Sequence, residues 1–320
     1  MSTAPARWTE PGALAQLVGP TLAYAKVAKS EATQMAYRRD WQAFEAWGQA
    51  HGTQTMPATP ETLALYLTDL ADNGRKVAGI SRALASISQA HKAAGYASPR
   101  STASVQAVMR GIRRKLGVAQ VQKAPVLVAD LRRMASSLSS TLKGTRDRAL
   151  LLLGFAGAFR RSELVGLDVT DLAFDDEGLT VTLRRSKTDQ EGAGRKVGIP
   201  YGGDQATCPV GAVKAWLAAA GAKLGPVFVG VNRHGKLTGQ RLAGEDVARI
   251  VKAVANTVGL DSATFSGHSL RAGLVTSAAK AGKSERAIMA QTGHRSVTMV
   301  RRYIRDTNLF TENAAAGIGL

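Results

Sequence analysis

Apolar residues recur at spacings of three and four through almost all of this chain, and a glycine closes most of the stretches they define. That pattern admits helices packed on helices and little else. Ser30 is a helix-capping type, and after it Tyr37, Trp41, Phe44 and Trp47 form one stripe that stops at Gly52. Thr59-Pro60-Glu61 predicts a second start: a capping hydroxyl, a proline in the first turn and an acid at the positive end of the helix dipole. Leu63, Tyr66, Leu67 and Leu70 give its buried face, and Gly74 ends it. Val77, Ile80, Leu84 and Ile87 carry a third helix, closed by Gly95. Val105, Val108, Met109 and Ile112 carry a fourth over Ser101 to Lys115. Residues 1–29, rich in alanine, proline and glycine, read as a flexible arm, which leaves 30–116 as an all-helical domain.

Residues 117–125 have no period and predict a linker. Helical spacing resumes over Asp130 to Leu138 and Thr145 to Ala156, where Ala149-Leu150-Leu151-Leu152-Leu153 suits full burial. Period two appears after Leu167. Leu179-Thr180-Val181-Thr182-Leu183 alternates, an acidic turn precedes it, and Lys196 to Ile199 predicts a returning strand. Lys187 falls in the connection between the two. Further helices are expected at about 209–220, 244–258, 269–281, 285–292 and 297–303. The fold class is therefore mainly α: an all-helical N-terminal domain, then a mixed, mainly helical domain over 126–320 with a small antiparallel sheet.

Charge narrows the partner. Forty-two Lys and Arg against 24 Asp and Glu give a net charge of +18 over 320 residues. The excess is +7 over residues 1–120 and +11 over 121–320, so both domains are expected to meet the same polyanion, nucleic acid or an anionic membrane surface. Cys208 is the single cysteine, which excludes an internal disulfide and a cysteine-based zinc site. No apolar run is long enough to span a bilayer, no signal-peptide pattern opens the chain and no Walker-type phosphate loop is present. A cytoplasmic protein is expected.

A few side chains could do chemistry. Arg160 and Glu163 are three apart and follow an apolar helix directly. An arginine there is costly without an anion; Glu163 can orient it, and a phosphate could be its partner. His268 and Arg271 are also three apart, flanked by Gly267 and Gly273, which would let a ligand approach the backbone closely. His294 follows Gly293. Tyr303 lies in Arg301-Arg302-Tyr303-Ile304-Arg305, where the cations ease formation of phenolate. Each has an ordinary explanation alone: a surface ion pair, a helix cap, a half-buried ring. Arg110, Arg113 and Arg114 on the fourth helix, together with Arg241, Arg249 and Lys252, are candidate DNA contacts, though charge at a helix end is as readily a solvated face. On the 244–258 helix, Val247, Ile250, Val251 and Val254 are expected inward and Glu245, Arg249 and Lys252 outward, where they could enter a groove.

Taken in order, Arg-x-x-Glu, a lysine on a hairpin, His-x-x-Arg, Gly-His and a tyrosine nine residues later resemble the tyrosine recombinase, or phage integrase, family. The resemblance covers nearly the whole chain. His91 to Gly95, Val108 to Arg113 and Ser266 to Ser269 look most like the Cre-type recombinases. It implies a two-domain DNA clamp. Tyr303 would be the nucleophile that forms a 3′-phosphotyrosyl link, and Arg160 and Arg271 would hold the nonbridging oxygens with help from His294. Lys187 would be the general acid for the leaving 5′-oxygen, His268 would move protons on the tyrosine side, and Glu163 would position Arg160. No metal or other cofactor is implied. The implied partner is double-stranded DNA with inverted-repeat sites, bound by a homotetramer on two sites. The segment from Phe310 to Leu320 would dock in a neighbouring protomer, accessory proteins would be unnecessary, and the protein would be nucleoid-associated. A topoisomerase-like or telomere-resolving relative would share the chemistry, and a non-catalytic DNA-binding protein would share only the fold. Family members carry His or Trp at position 294, and Arg161 stands where an apolar residue is usual.

Overall fold

A computed structural model describes residues 15–119, 122–184 and 194–308. The chain forms two compact units, Met1–Val121 and Gln122–Leu320.

The first unit is helical: α1 (Ala15–Val27), α2 (Glu31–Ala50), α3 (Pro60–Asp72), α4 (Val77–Ala93) and α5 (Ala103–Leu116). The starts come from side chains, since the first N–H groups of a helix lack partners. Ser30 accepts from the Thr33 N–H and Thr59 from the Thr62 N–H. Gly52, Gly74 and Gly95 follow α2, α3 and α4 with φ of +62°, +75° and +82°, a region that penalises any Cβ. Trp41, Phe44, Leu63, Tyr66, Leu67, Ile80, Leu84, Ile87, Val105, Met109 and Ile112 make one buried core. The expected arm differs from this picture: α1 forms within it, because Leu17, Leu22, Ala23 and Ala25 are good helix formers.

The second unit opens with α6 (Val128–Ser136), α7 (Leu142–Ala156) and α8 (Arg161–Gly166). Then β1 (Leu172–Phe174), β2 (Gly178–Leu183) and β3 (Arg195–Pro200) form an antiparallel sheet in chain order, with Leu183 opposite Arg195. Leu179, Val181 and Leu183 alternate inward, joined by Val197 and Ile199. Next come α9 (Pro209–Ala220), the hairpin β4 (Val229–Val231) and β5 (Leu237–Arg241), and α10 (Gly244–Thr257). Cys208 is buried and caps α9, its Sγ accepting from the N–H groups of Gly202 and Gly211 at 3.2 and 3.3 Å. The β4–β5 hairpin was not expected. Its second strand is exposed throughout and glycines interrupt both strands, so no alternating apolar signal marks it. The chain continues with α11 (Ser269–Lys280), α12 (Glu285–Thr292) and α13 (Val297–Asn308).

The core of this unit runs from Val126 to Leu270 and includes the leucine run of α7, Phe159, Trp216 and Phe228. A smaller cluster, Val275, Ile288 and Val300, ties α11, α12 and α13 together. Residues at the end of the expected linker are fastened here: the Ala124 N–H donates to Thr264 O and the Val126 N–H to Ser269 O, both at 2.9 Å. Among the described residues no helix is long and apolar enough to cross a membrane.

Candidate active site

The turn after α7 builds the site. Gly154 accepts from the Phe159 N–H at 3.2 Å, and Ala158 takes a φ of +48° although it is not glycine. That conformation strains an L residue. It directs the Ala158 carbonyl to Nη1 of Arg271, 2.7 Å away on α11. Two residues on, Arg160 precedes α8. The Glu163 carboxylate accepts from the Arg160 backbone N–H at 2.8 Å and from its Nη1 at 2.5 Å. Glu163 thereby caps the helix and orients the guanidinium together. The two side chains are 13% and 1% exposed, so this is a buried pair rather than a surface bridge.

Arg271 is buried, and its Nη2 donates to Nε2 of His294 at 3.1 Å. Gly293, with φ of +67°, ends α12 and turns the chain so that His294 faces Arg271. The Thr292 hydroxyl donates to Ile288 O at 2.7 Å and lies 2.8 Å from Nδ1 of His294. Since that hydroxyl proton is committed, Nδ1 carries the ring proton and Nε2 accepts. Burial, followed by Arg271, Arg160 and Arg195, pushes the His294 pKa down to about 4. Burial, followed by Arg160, pushes that of Arg271 down to about 10. Both shifts come first from burial and then from the neighbouring cations.

Tyr303 on α13 is half-buried against the Val275, Ile288 and Val300 cluster. It lies close enough for a phenolate to favour the charged form of Arg271. His268 stands exposed at the start of α11, one turn before Arg271, with its N–H donating to Ser266 Oγ at 3.2 Å. Arg160, Glu163, Arg271, His294 and Tyr303 therefore converge. Lys187 lies outside the described residues.

The flanking glycines have a different purpose from the one expected. A Cβ on Gly273 would come 1.9 Å from Val126 O, and one on Gly267 would come 2.1 Å from Cδ of Arg161. Their bare backbones make room for protein rather than for a ligand. Arg161 finds its place here too, since its aliphatic stem lies along Gly267 just before His268.

Of the candidate DNA contacts, Arg110, Arg113, Arg114 and Lys252 are exposed. Arg249 is exposed and donates to Asp246 at 2.6 Å. Arg241 is exposed and at the same time tied to the protein. Its Nη1 donates to Val165 O and Leu167 O at 2.7 and 3.0 Å, and its Nη2 pairs with Asp168. The guanidinium fork braces the end of α8, while the side chain stays 36% exposed. Two residues of the site were not expected. Thr292 fixes the tautomer of His294, and Arg195 on β3 is half-buried beside the cluster.

Comparison with known proteins gives concordant matches. The family model described as the phage integrase family matches residues 126–309. An integrase/recombinase xerD homolog from Selenomonas ruminantium is 42% identical over 290 residues, covering 89% of this chain and 85% of the relative. Among solved structures, the Tn1549 transposon integrase in complex with transposon right end DNA superposes with a TM-score of 0.63 at 15% identity, covering 92% of this chain and 96% of that one. A lambda integrase dimer bound to a core site gives 0.61 at 16% identity, covering 91% and 76%. At those identities the structures speak for the fold. The curated relative carries the Xer name, and a particular likeness to Cre-type enzymes has only loose support in these matches.

Proposed function

The chain belongs to the phage integrase family of tyrosine recombinases, and from that premise we propose that it cuts and rejoins duplex DNA through a covalent bond between Tyr303 and a 3′-phosphate. The observation that supports this most is the convergence of Arg160, Arg271 and His294 beside a tyrosine, with Glu163 as the one carboxylate among them.

The chemistry follows from the charges. The Tyr303 oxygen attacks phosphorus, the bond from phosphorus to the 5′-oxygen breaks, and Lys187 protonates the departing oxygen. His268 takes up the phenol proton. Arg160 and Arg271 meet the nonbridging oxygens, and their planar forks remain charged at neutral pH. In the free protein His294 is neutral and accepts from Arg271. A phosphate among these cations offsets the repulsion that, after burial, lowers its pKa. His294 can then gain a proton on Nε2 and donate to the oxyanion as charge builds. The phosphotyrosyl bond conserves the energy of the broken phosphodiester, so a free 5′-hydroxyl can reverse the step and rejoin the strand.

The finer reading is a homotetramer grasping two inverted-repeat sites, working without accessory proteins, with the last residues docked in a neighbouring protomer. Both parts of the chain, 1–120 and 121–320, carry a basic excess, as a grip on a duplex from two sides requires. The test uses a duplex selected for binding from a random-sequence pool. Wild-type protein is expected to form a denaturant-stable adduct with it, and Tyr303→Phe to bind it without forming one. A normal adduct from Tyr303→Phe would refute the nucleophile. Exchange of flanking DNA between two sites, rather than mere relaxation of supercoils, separates recombination from topoisomerase-like action.

A further inference from the structure

One half-buried cation has no part in the mechanism above. Arg195 opens β3, opposite Leu183, at the base of the hairpin whose connection carries Lys187. Its Nη1 donates to the carbonyls of Ala290 and Gln291 at 3.3 and 3.1 Å, in the last turn of α12. A cation at the carbonyl end of a helix is well placed. Its Nε and Nη2 are different: both are buried and neither has a hydrogen-bond partner. Leaving charged donors unpaired is expensive, so their persistence asks for a reason. The backbone of Gly293 closes over the same guanidinium. A Cβ there would come 2.8 Å from Nε, so only a glycine lets α12 end this close and lets His294 follow.

Charge supplies the reason. Arg195 acts electrostatically on Arg271 and His294 and is itself influenced by Arg160 and Glu163. Among the described residues of this cluster, three guanidiniums, Arg160, Arg195 and Arg271, face one carboxylate, Glu163, which leaves two net positive charges. A bound phosphodiester carries one negative charge. The five-coordinate state formed by phenolate attack carries two. The cluster therefore neutralises the transition state and over-compensates bound DNA. With Arg195 removed, it would match bound DNA instead. An interaction that grows between ground and transition state is the kind that accelerates a reaction.

We propose that Arg195 is a positioning residue of the strand-transfer reaction, which ties the turn bearing His294 to the base of the Lys187 hairpin and supplies the second net positive charge that favours the transition state over bound DNA. The proposal rests on the reading of Tyr303 as nucleophile, and its test separates the two.

The test compares wild type, Arg195→Gln, Arg195→Lys and Tyr303→Phe in single-turnover cleavage at saturating DNA, alongside binding and melting temperature. Gln keeps a donor for the α12 carbonyls without charge, and Lys keeps the charge. Arg195→Gln is expected to cleave about 10²-fold more slowly, with a much smaller change in affinity, and Lys to recover most of that loss. A second readout follows the His294 ring by NMR in the free protein. Arg271, Arg160 and Glu163 still face it in the Gln variant, with Thr292 on Nδ1, so its pKa should rise from about 4 by the share of repulsion due to Arg195. A merely structural arginine would not move that titration in step with the rate. Wild-type cleavage by Arg195→Gln would overturn the proposal. So would equal slowing of Gln and Lys with equal loss of melting temperature and an unmoved His294. If wild type forms no adduct at Tyr303, the underlying reading falls and this inference with it; if the adduct forms and Gln cleaves normally, this inference falls alone.

Discussion

Each unit has a cluster of charged groups and a histidine, and these two clusters treat their charge in opposite ways. In the first unit Asp40 is 2% exposed and accepts from Arg82 at 2.7 and 3.1 Å and from Arg75 at 3.5 Å. Those arginine side chains are 47% and 48% exposed, so the charge without a carboxylate stays in water. His91 is fully buried, donates from Nδ1 to Ile87 O and accepts at Nε2 from the Ala58 N–H, both at 2.8 Å. Both ring nitrogens are used. In the second unit Arg271 is buried, Arg195 keeps two donors unpaired, and His294 sits among cations that repel its proton. Both histidines are held as the same neutral tautomer. What differs is the surroundings: backbone dipoles around His91, unbalanced charge around His294. A polar cluster that only stabilises closes its hydrogen bonds, whereas one that awaits an anion keeps some open.

The largest expected effect would break this contrast if it failed. Arg271→Ala should lower single-turnover cleavage by about 10²–10³-fold, as loss of an oxyanion donor does. Arg82→Ala should leave cleavage of the bound complex unchanged. Equal losses in the two variants would remove the distinction between the clusters.

Stability should run the other way. Asp40→Ala abolishes the carboxylate that Arg75 and Arg82 share and should cost about 1–3 kcal/mol, less than a fully buried pair because both partners reach water. Arg271→Met removes a buried charge that has no carboxylate of its own, and it should leave the free protein no less stable. Thermal unfolding of the two variants checks both signs.

A smaller effect concerns pH. The folded pKa of His294, about 4, lies below the ordinary 6.5, so the unfolded chain holds more protons between those values. Its contribution to stability is complete above pH 6.5 and is lost as pH falls toward 4. A bound phosphate is expected to raise this pKa, so binding should tighten as pH falls from about 7 to 5, by less than about tenfold. His294→Asn should flatten that slope, and a calorimetric measurement of proton uptake on binding would show the same change.

The smallest effects sharpen the assignment of surface charge. Arg113→Ala and Arg114→Ala should each reduce the salt dependence of DNA binding by about one phosphate contact. Arg241→Ala should leave that slope alone and lower the melting temperature, because its donors serve Val165, Leu167 and Asp168.

The pattern of these predictions also shows what a sequence discloses. Helix starts at Ser30 and Thr59 were legible because capping is local, and the β2–β3 pair because period two is. Arg160, Glu163, Arg271, His294 and Tyr303 were legible through their order along the chain. Arg195 was not: in Gly194-Arg195-Lys196-Val197 it looks like a solvated strand edge, and only the arrival of α12 at Gly293 covers its guanidinium. The internal bonds of Arg241 were hidden for a similar reason, since an arginine on an exposed strand gives no sign that the carbonyls of Val165 and Leu167 reach it. Gly267 and Gly273 were assigned to a ligand because spacing does not reveal which atoms approach a bare backbone.

The central claim is that the charge left open around Arg271 and His294 serves a phosphate attacked by Tyr303. The most direct measurement is to trap the protein on nicked duplex DNA, digest both components, and identify by mass spectrometry the residue esterified to the 3′-phosphate. The account predicts a single modified peptide with the phosphate on Tyr303. A phosphate on any other residue, or a cleaved product with a free 3′-phosphate and no protein attached, would contradict it.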